Sequence, residues 1–129
     1  MKPQIVLLYT RDRGFDGLLG EALSGTEATV LIARTVAEAL QVICHRGREL
    51  ALALMDFDGG CGGMTLLSAI HTCFEGLPIV VTTSKDAEHV TAVAYANGAR
   101  ACLNKPLHSR RLTNAIVKAM APERQLVAA

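Results

Sequence analysis

Leu50-Ala51-Leu52-Ala53-Leu54-Met55 is an unbroken apolar run, and Asp56 stands directly after it. A short run without alternation suits a strand buried on both faces, as in a parallel sheet. Two further runs end the same way. Pro78-Ile79-Val80-Val81-Thr82 precedes Thr83, and Ala101-Cys102-Leu103-Asn104 precedes Lys105-Pro106. In an open parallel sheet, ligands gather outside the carboxyl ends of the strands. A carboxylate, a hydroxyl and an ammonium collected there form a site for a phosphoryl group carried on aspartate. The carboxylate is a covalent acceptor once the developing charge is neutralised. Lysine suits that task as a compact charge with three donors.

Working outward, the chain reads as five repeats of strand and helix. Strands are expected at about residues 4–9, 28–32, 51–55, 78–82 and 101–103. Between them the pattern changes to helical stripes. Phe15, Leu18, Leu19, Ala22 and Leu23 form the first, and Val36, Ala39, Leu40 and Ile43 the second. Leu66, Leu67, Ile70, Cys73 and Phe74 form the third. Ala87, Val90, Val93 and Ala94 form the fourth, and Leu112, Ala115, Ile116, Ala119 and Met120 the fifth. Thr35 and Glu38 have capping-box spacing. Gly47 and Gly98 stand where left-handed residues would close the second and fourth helices. Such alternation needs right-handed crossovers, and so predicts a doubly wound parallel sheet covered on both faces. The domain is expected over residues 1–120, with 121–129 as a tail or the start of a linker.

Composition narrows the function classes. The chain has 129 residues, enough for one domain. Half are apolar but only 4% are aromatic, so the core must be built from Leu, Val, Ile and Ala. Thirteen basic residues against twelve acidic leave a net charge of +1, which argues against direct nucleic-acid binding. The first apolar run is too short for a signal peptide or membrane span. Cys44, Cys61, Cys73 and Cys102 have no C-x-x-C spacing, and without an export signal reduced thiols in the cytoplasm are expected. The four histidines are scattered, with no metal-ligand spacing among them.

The chain resembles the receiver domains of two-component response regulators. The resemblance covers residues 4–120 and rests on the run ending in Asp56, Pro78 to Thr83-Ser84, Asn97-Gly98-Ala99, and Lys105-Pro106. The interval between Thr83 and Lys105 matches the family's spacing as well. It implies a flavodoxin-like (βα)5 fold with strand order 2-1-3-4-5, and a signalling module rather than an enzyme. By the same resemblance Asp56 is the phosphoacceptor, Thr83 the switch hydroxyl and Lys105 the phosphate-binding lysine. A histidine kinase or phosphotransfer protein would be the donor. An output domain or homodimer contact is expected through residues 87–96, Cys102 and residues 110–120. The peptide bond between Lys105 and Pro106 is expected to be cis, as in the family.

Three departures bear on the chemistry. Receivers carry an acidic pair at the end of the first strand to hold Mg²⁺, a hard cation that relies on carboxylates. This chain has Tyr9-Thr10 there, followed by Arg11 and Arg13. The implied Mg²⁺ is left with Asp56 and Asp58, and with Asp12 and Asp16 farther off in sequence. The loop after Asp56 has glycines at 59, 60, 62 and 63 and lacks the family's proline. Cys102 replaces the usual aromatic residue three positions before the lysine. Metal-dependent phosphorylation of Asp56 is therefore expected to be weak or absent, and Arg11 or Arg13 is a candidate to neutralise Asp56 instead.

Two rivals follow from these residues. One is a pseudo-receiver, which keeps the fold as an interaction module and has lost phosphotransfer. The other is remote: Met55-Asp56-Phe57-Asp58-Gly59 also resembles the first motif of haloacid-dehalogenase-like phosphatases. Their motif ends a strand near the N-terminus, whereas Asp56 ends the third strand here.

Overall fold

Runs of Leu, Ile, Val and Ala that lack alternation must bury both faces, and the three central strands of this protein do so. In the structure, a computed structural model, residues 4–59, 62–84 and 87–120 are described. The strands are β1 (Ile5–Tyr9), β2 (Thr29–Ala33), β3 (Leu50–Asp56), β4 (Ile79–Thr83) and β5 (Ala101–Asn104). They alternate with α1 (Arg13–Ala22), α2 (Val36–Arg46), α3 (Gly63–Cys73), α4 (Ala87–Ala96) and α5 (Ser109–Met120). One parallel sheet in the order β2-β1-β3-β4-β5 results, the flavodoxin-like arrangement expected. The expected tail, residues 121–129, and Cys61 lie outside the described residues.

The two faces of the sheet are separate apolar layers. Val6, Leu8, Leu52, Leu54 and Val80 pack with Phe15 and Leu19 of α1 and with Leu112, Ile116 and Ala119 of α5. Leu7, Tyr9, Ala53, Met55, Ile79 and Val81 pack on the other side with Ala39 and Ile43 of α2, Leu66, Leu67 and Ile70 of α3, and Ala94 of α4. Each fully buried Leu or Ile contributes about 1.5–3 kcal/mol through removal from water. Two stripe members fall outside the expected core: Leu40 is 37% exposed, and Cys73 is exposed at the end of α3. Cys44, Cys73 and Cys102 are free thiols.

Strand ends differ from the sequence reading in a way that matters for the site. Asp56 and Thr83 were expected just beyond their strands, but they are the last residues of β3 and β4. Pairing extends that far because neighbours are available, Asp56 opposite Thr82 and Thr83 opposite Asn104. The polar residues are thus held by the ladder itself. Strand β2 begins one residue later than expected, in register from Ile5 opposite Thr29 to Tyr9 opposite Ala33.

Local chemistry closes the helices. Thr35 Oγ1 accepts from the Glu38 amide at 3.1 Å, as the capping-box spacing requires. The reciprocal bond from Glu38 Oε1 reaches one residue farther back, to the Arg34 amide at 2.9 Å. Gly98 has φ +96° after α4, the left-handed conformation expected of it. Gly47 does not. Its φ is −55°, it opens a short 3₁₀ turn (Gly47–Glu49), and a Cβ there would stand 2.4 Å from the Phe74 ring. Gly47 is required by close packing rather than by handedness.

Candidate functional site

The loops leaving β1, β3, β4 and β5 meet at the carboxyl edge of the sheet, where a buried carboxylate is surrounded by donors. Asp56 is 1% exposed, so its charge requires close partners. Its Oδ2 accepts from Thr10 Oγ1 at 2.7 Å and from Lys105 Nζ at 3.0 Å. Its Oδ1 accepts from the Asp58 amide at 3.0 Å. Thr10 is fully buried, and its oxygen also accepts from the Asp12 amide at 3.0 Å. The β1 end and the β3 end are thereby joined through one hydroxyl.

Asp58 is a second carboxylate on the same ammonium. It lies on the 3₁₀ turn Phe57–Gly59 that leaves β3. Its carboxylate takes the Ser84 amide at 3.0 and 3.1 Å and Lys105 Nζ at 3.0 Å. Thr83 Oγ1, fully buried, donates to Asp58 Oδ1 at 3.5 Å, the outer limit of such a bond. Lys105 therefore bridges two carboxylates. Its ammonium is also 5.7 Å from the centroid of the Phe15 ring. Burial pushes the Asp58 carboxyl up, but the Ser84 amide and Lys105 outweigh it and hold the group below the usual carboxylate range. Burial pulls Lys105 down, while Asp58 and Asp56 outweigh it and hold the ammonium above its ordinary value. The Lys105–Pro106 bond is cis, as expected.

Asp56, Thr83 and Lys105, singled out in sequence, are brought together. Two contributors were missed. In the sequence Thr10 stands only as the place of a lost acid, although its position directly after an apolar run carries the same signal as the other three. The Ser84 amide has no sequence signature. Arg11 and Arg13 are not partners of Asp56: both are exposed, and Thr10 and Lys105 occupy the positions they would need.

Receiver domains commonly bind Mg²⁺, and the carboxylates near this site are already engaged. Asp12 Oδ1 accepts from the Gly14 amide at 2.9 Å as the cap of α1. Asp16 is paired with Arg34, which also donates to the Thr10 carbonyl at 3.1 Å. Asp58 is held by Lys105 and Ser84, and Thr10 and Lys105 hold Asp56. Among the described residues no cluster of three or more His, Cys, Asp or Glu is placed to hold a metal. Among the described residues the donor set is a poor fit to Mg²⁺, a hard cation that relies on carboxylate oxygens, because each carboxylate here already has a partner.

Beside the acid pair, a cleft of about 490 Å³ is lined by Asp12, Phe15, Leu18, Ser84, Lys105 and Pro106, among others. It opens on Lys105 from the α1 side.

A five-stranded parallel sheet with an aspartate, a threonine and a lysine at its carboxyl edge defines a class of signalling module, the receiver. The family model described as the response regulator receiver domain matches residues 12–117, and the chain belongs to that family. It is similar to the transcriptional regulatory protein GlrR of Escherichia coli K12, at 29% identity over 119 residues. That match covers 92% of this chain and 27% of the relative, so the chain spans about a quarter of that protein's length. Among solved structures, the signal receiver domain of an HD domain-containing protein from Pseudomonas fluorescens Pf-5 matches at 25% identity and TM-score 0.81, covering 92% of this chain and 95% of that one. A response regulator from Thermotoga maritima matches at 18% identity and TM-score 0.82, covering 92% and 98%, and shows the shared fold. With membership in the receiver family the phosphatase reading has no further support. No helix among the described residues is long and apolar enough to cross a membrane.

Proposed function

We propose that Asp56 accepts a phosphoryl group from a histidine kinase or phosphotransfer protein, and that Lys105, Thr83 and the Ser84 amide then hold it. The observation that carries this reading is the 3.0 Å contact of Lys105 with a buried Asp56 beside a cleft open to solvent. In the transfer an Asp56 oxygen attacks phosphorus, the bond from phosphorus to the donor breaks, and the donor group leaves. Lys105 offsets the charge that builds on the phosphoryl oxygens, and Thr10 keeps the carboxylate oriented. A phosphoryl group adds about −1.5 to −2 charge at neutral pH, enough to redraw contacts at the β4 end.

The readout surface we assign is α4, β5 and α5, with the protein in the cytosol. Tyr95 is 49% exposed there, at a hollow also lined by Cys102, Arg111 and Lys118. An aromatic residue flanked by cations suits an acidic partner face, on an output domain or a second copy. Thr91 donates to the Cys102 sulfur at 3.5 Å, so Cys102 is tied to α4 without the aromatic lever of most receivers.

The test is intact-mass spectrometry after incubation with acetyl phosphate, with and without Mg²⁺, on the wild type and Asp56→Ala. One added phosphoryl that requires Asp56 supports the reading. Uptake unaffected by Asp56→Ala, or none in any variant, removes it. A second reading, an interaction module that works without phosphotransfer, is favoured by Thr10 in place of an acid. It predicts partner binding unchanged in Asp56→Ala.

A further inference from the structure

The three donors that a phosphoryl group on Asp56 needs are already engaged. The Ser84 amide lies 3.0 and 3.1 Å from the two Asp58 oxygens, Lys105 Nζ 3.0 Å from one, and Thr83 Oγ1 3.5 Å from the other. A single carboxylate thus receives an amide, an ammonium and a hydroxyl from two segments, the end of β4 (Thr83-Ser84) and the residue after β5 (Lys105). We propose that Asp58 is an internal occupant of the phosphoryl site, which must withdraw before Asp56 can be phosphorylated.

Charge and space both support displacement rather than coexistence. Asp56 and Asp58 already share one ammonium at 3.0 Å each. A phosphoryl group entering beside them would add about 1.5–2 negative charges against the same cation, within the range where each like charge is strongly unfavourable. Asp58 stands at the rim, its side chain 21% exposed, so a path to solvent is open. Asp58 lies on the short 3₁₀ turn Phe57–Gly59, past the last paired residue of β3, so its withdrawal breaks no strand pairing. Asp56, its side chain 2% exposed and its backbone fixed in the β3 ladder, has no such path. Asp58 is therefore the member of the pair with a route out, and it acts as a gate on Asp56.

The gate takes its functional meaning from Asp56 as acceptor, and two arms separate the two ideas. In the first, phosphoryl uptake from acetyl phosphate is timed by intact mass in the wild type, Asp58→Asn and Asp58→Ala. Attack by Asp56 releases acetate and leaves one phosphoryl on the protein. Removing the occupant should speed uptake by about tenfold or more. Unchanged or slower uptake in both variants, in protein that does become phosphorylated, overturns the gate and leaves Asp56 as acceptor. The second arm removes covalent chemistry with Asp56→Asn and compares that protein with Asp56→Asn/Asp58→Ala. Inorganic phosphate is titrated while the Ser84 amide is followed by NMR. Binding about tenfold tighter without Asp58 supports the occupant, and equal binding overturns it. If no variant is ever phosphorylated, the second arm alone decides: tighter phosphate binding then keeps the occupant while the acceptor reading fails.

Discussion

Lys105 Nζ lies 3.0 Å from Asp58 Oδ2, the same distance as from Oδ2 of the buried Asp56. Two carboxylates on one ammonium make an arrangement that is charge-deficient by one cation, at the place where the family carries metal. Thr10 supplies part of the difference by donating at 2.7 Å. A hydroxyl orients a carboxylate but brings no net charge, so the site is tuned to hold an anion that is already there.

Thr10→Val keeps the shape and deletes the donor. Asp56 then loses its shortest bond while buried, which should lower stability by about 1–3 kcal/mol. Urea unfolding of the two proteins at neutral pH measures it, and equal midpoints would show that water replaces the hydroxyl. Thr10→Asp adds a third carboxylate beside Asp56. That protein should be less stable without metal and should gain melting temperature with millimolar Mg²⁺, whereas the wild type should not.

The Asp58 carboxyl is held below its ordinary value, so its contribution to stability is present above about pH 4, the usual unfolded value. It fades as pH falls through the lowered folded value. Asp58→Asn should therefore unfold more easily than the wild type at pH 7, and the gap should close on acidification toward pH 3. A gap constant across that range would mean the effect is packing and not ionisation. Lys105, held above its ordinary value, contributes stability below about pH 10.4 that is lost as pH rises through its folded value.

Gly98→Ala would place a side chain at φ +96° with its Cβ 2.3 Å from His71 Nδ1. Gly47→Ala has ordinary φ but meets Phe74 ring atoms at 2.4 to 2.9 Å. Both should cost more than about 1 kcal/mol, by different routes. Shaving the ring with Phe74→Leu should rescue Gly47→Ala, while His71→Ala should leave most of the Gly98 penalty, because handedness remains. A double-mutant cycle in urea separates the two outcomes.

Tyr95→Ala together with Lys118→Glu should weaken binding of an acidic partner by tenfold or more, about 1.4 kcal/mol or above. Neither residue touches Asp56, so phosphoryl uptake should be unaffected. Isothermal titration with the output partner, or sedimentation of the protein alone if the partner is a second copy, provides the readout. Unchanged affinity would move the interface to another face.

What could be read from the chain follows the range of the signals. Apolar runs and helical stripes repeat within a few residues, so all five strands and all five helices were expected, with ends off by a residue or so. Thr35 with Glu38 is likewise a local pattern and appears as a cap. Gly47 misled because a glycine after a helix suggests handedness, while its cause is the Phe74 ring from a distant segment.

The sequence by itself determined the alternating fold and the three polar residues at strand ends, because periodicity and placement after apolar runs are properties of neighbours. Only tertiary structure decided what those residues do to each other. The Thr10 hydroxyl meets Asp56 across 46 positions, Lys105 meets it across 49, and Ser84 meets Asp58 across 26. Hydrogen bonds and ion pairs act over about 3 Å in space and carry no signature in spacing along the chain. That is why Asp58 reads in sequence as a metal ligand and in the fold as the occupant of its own site.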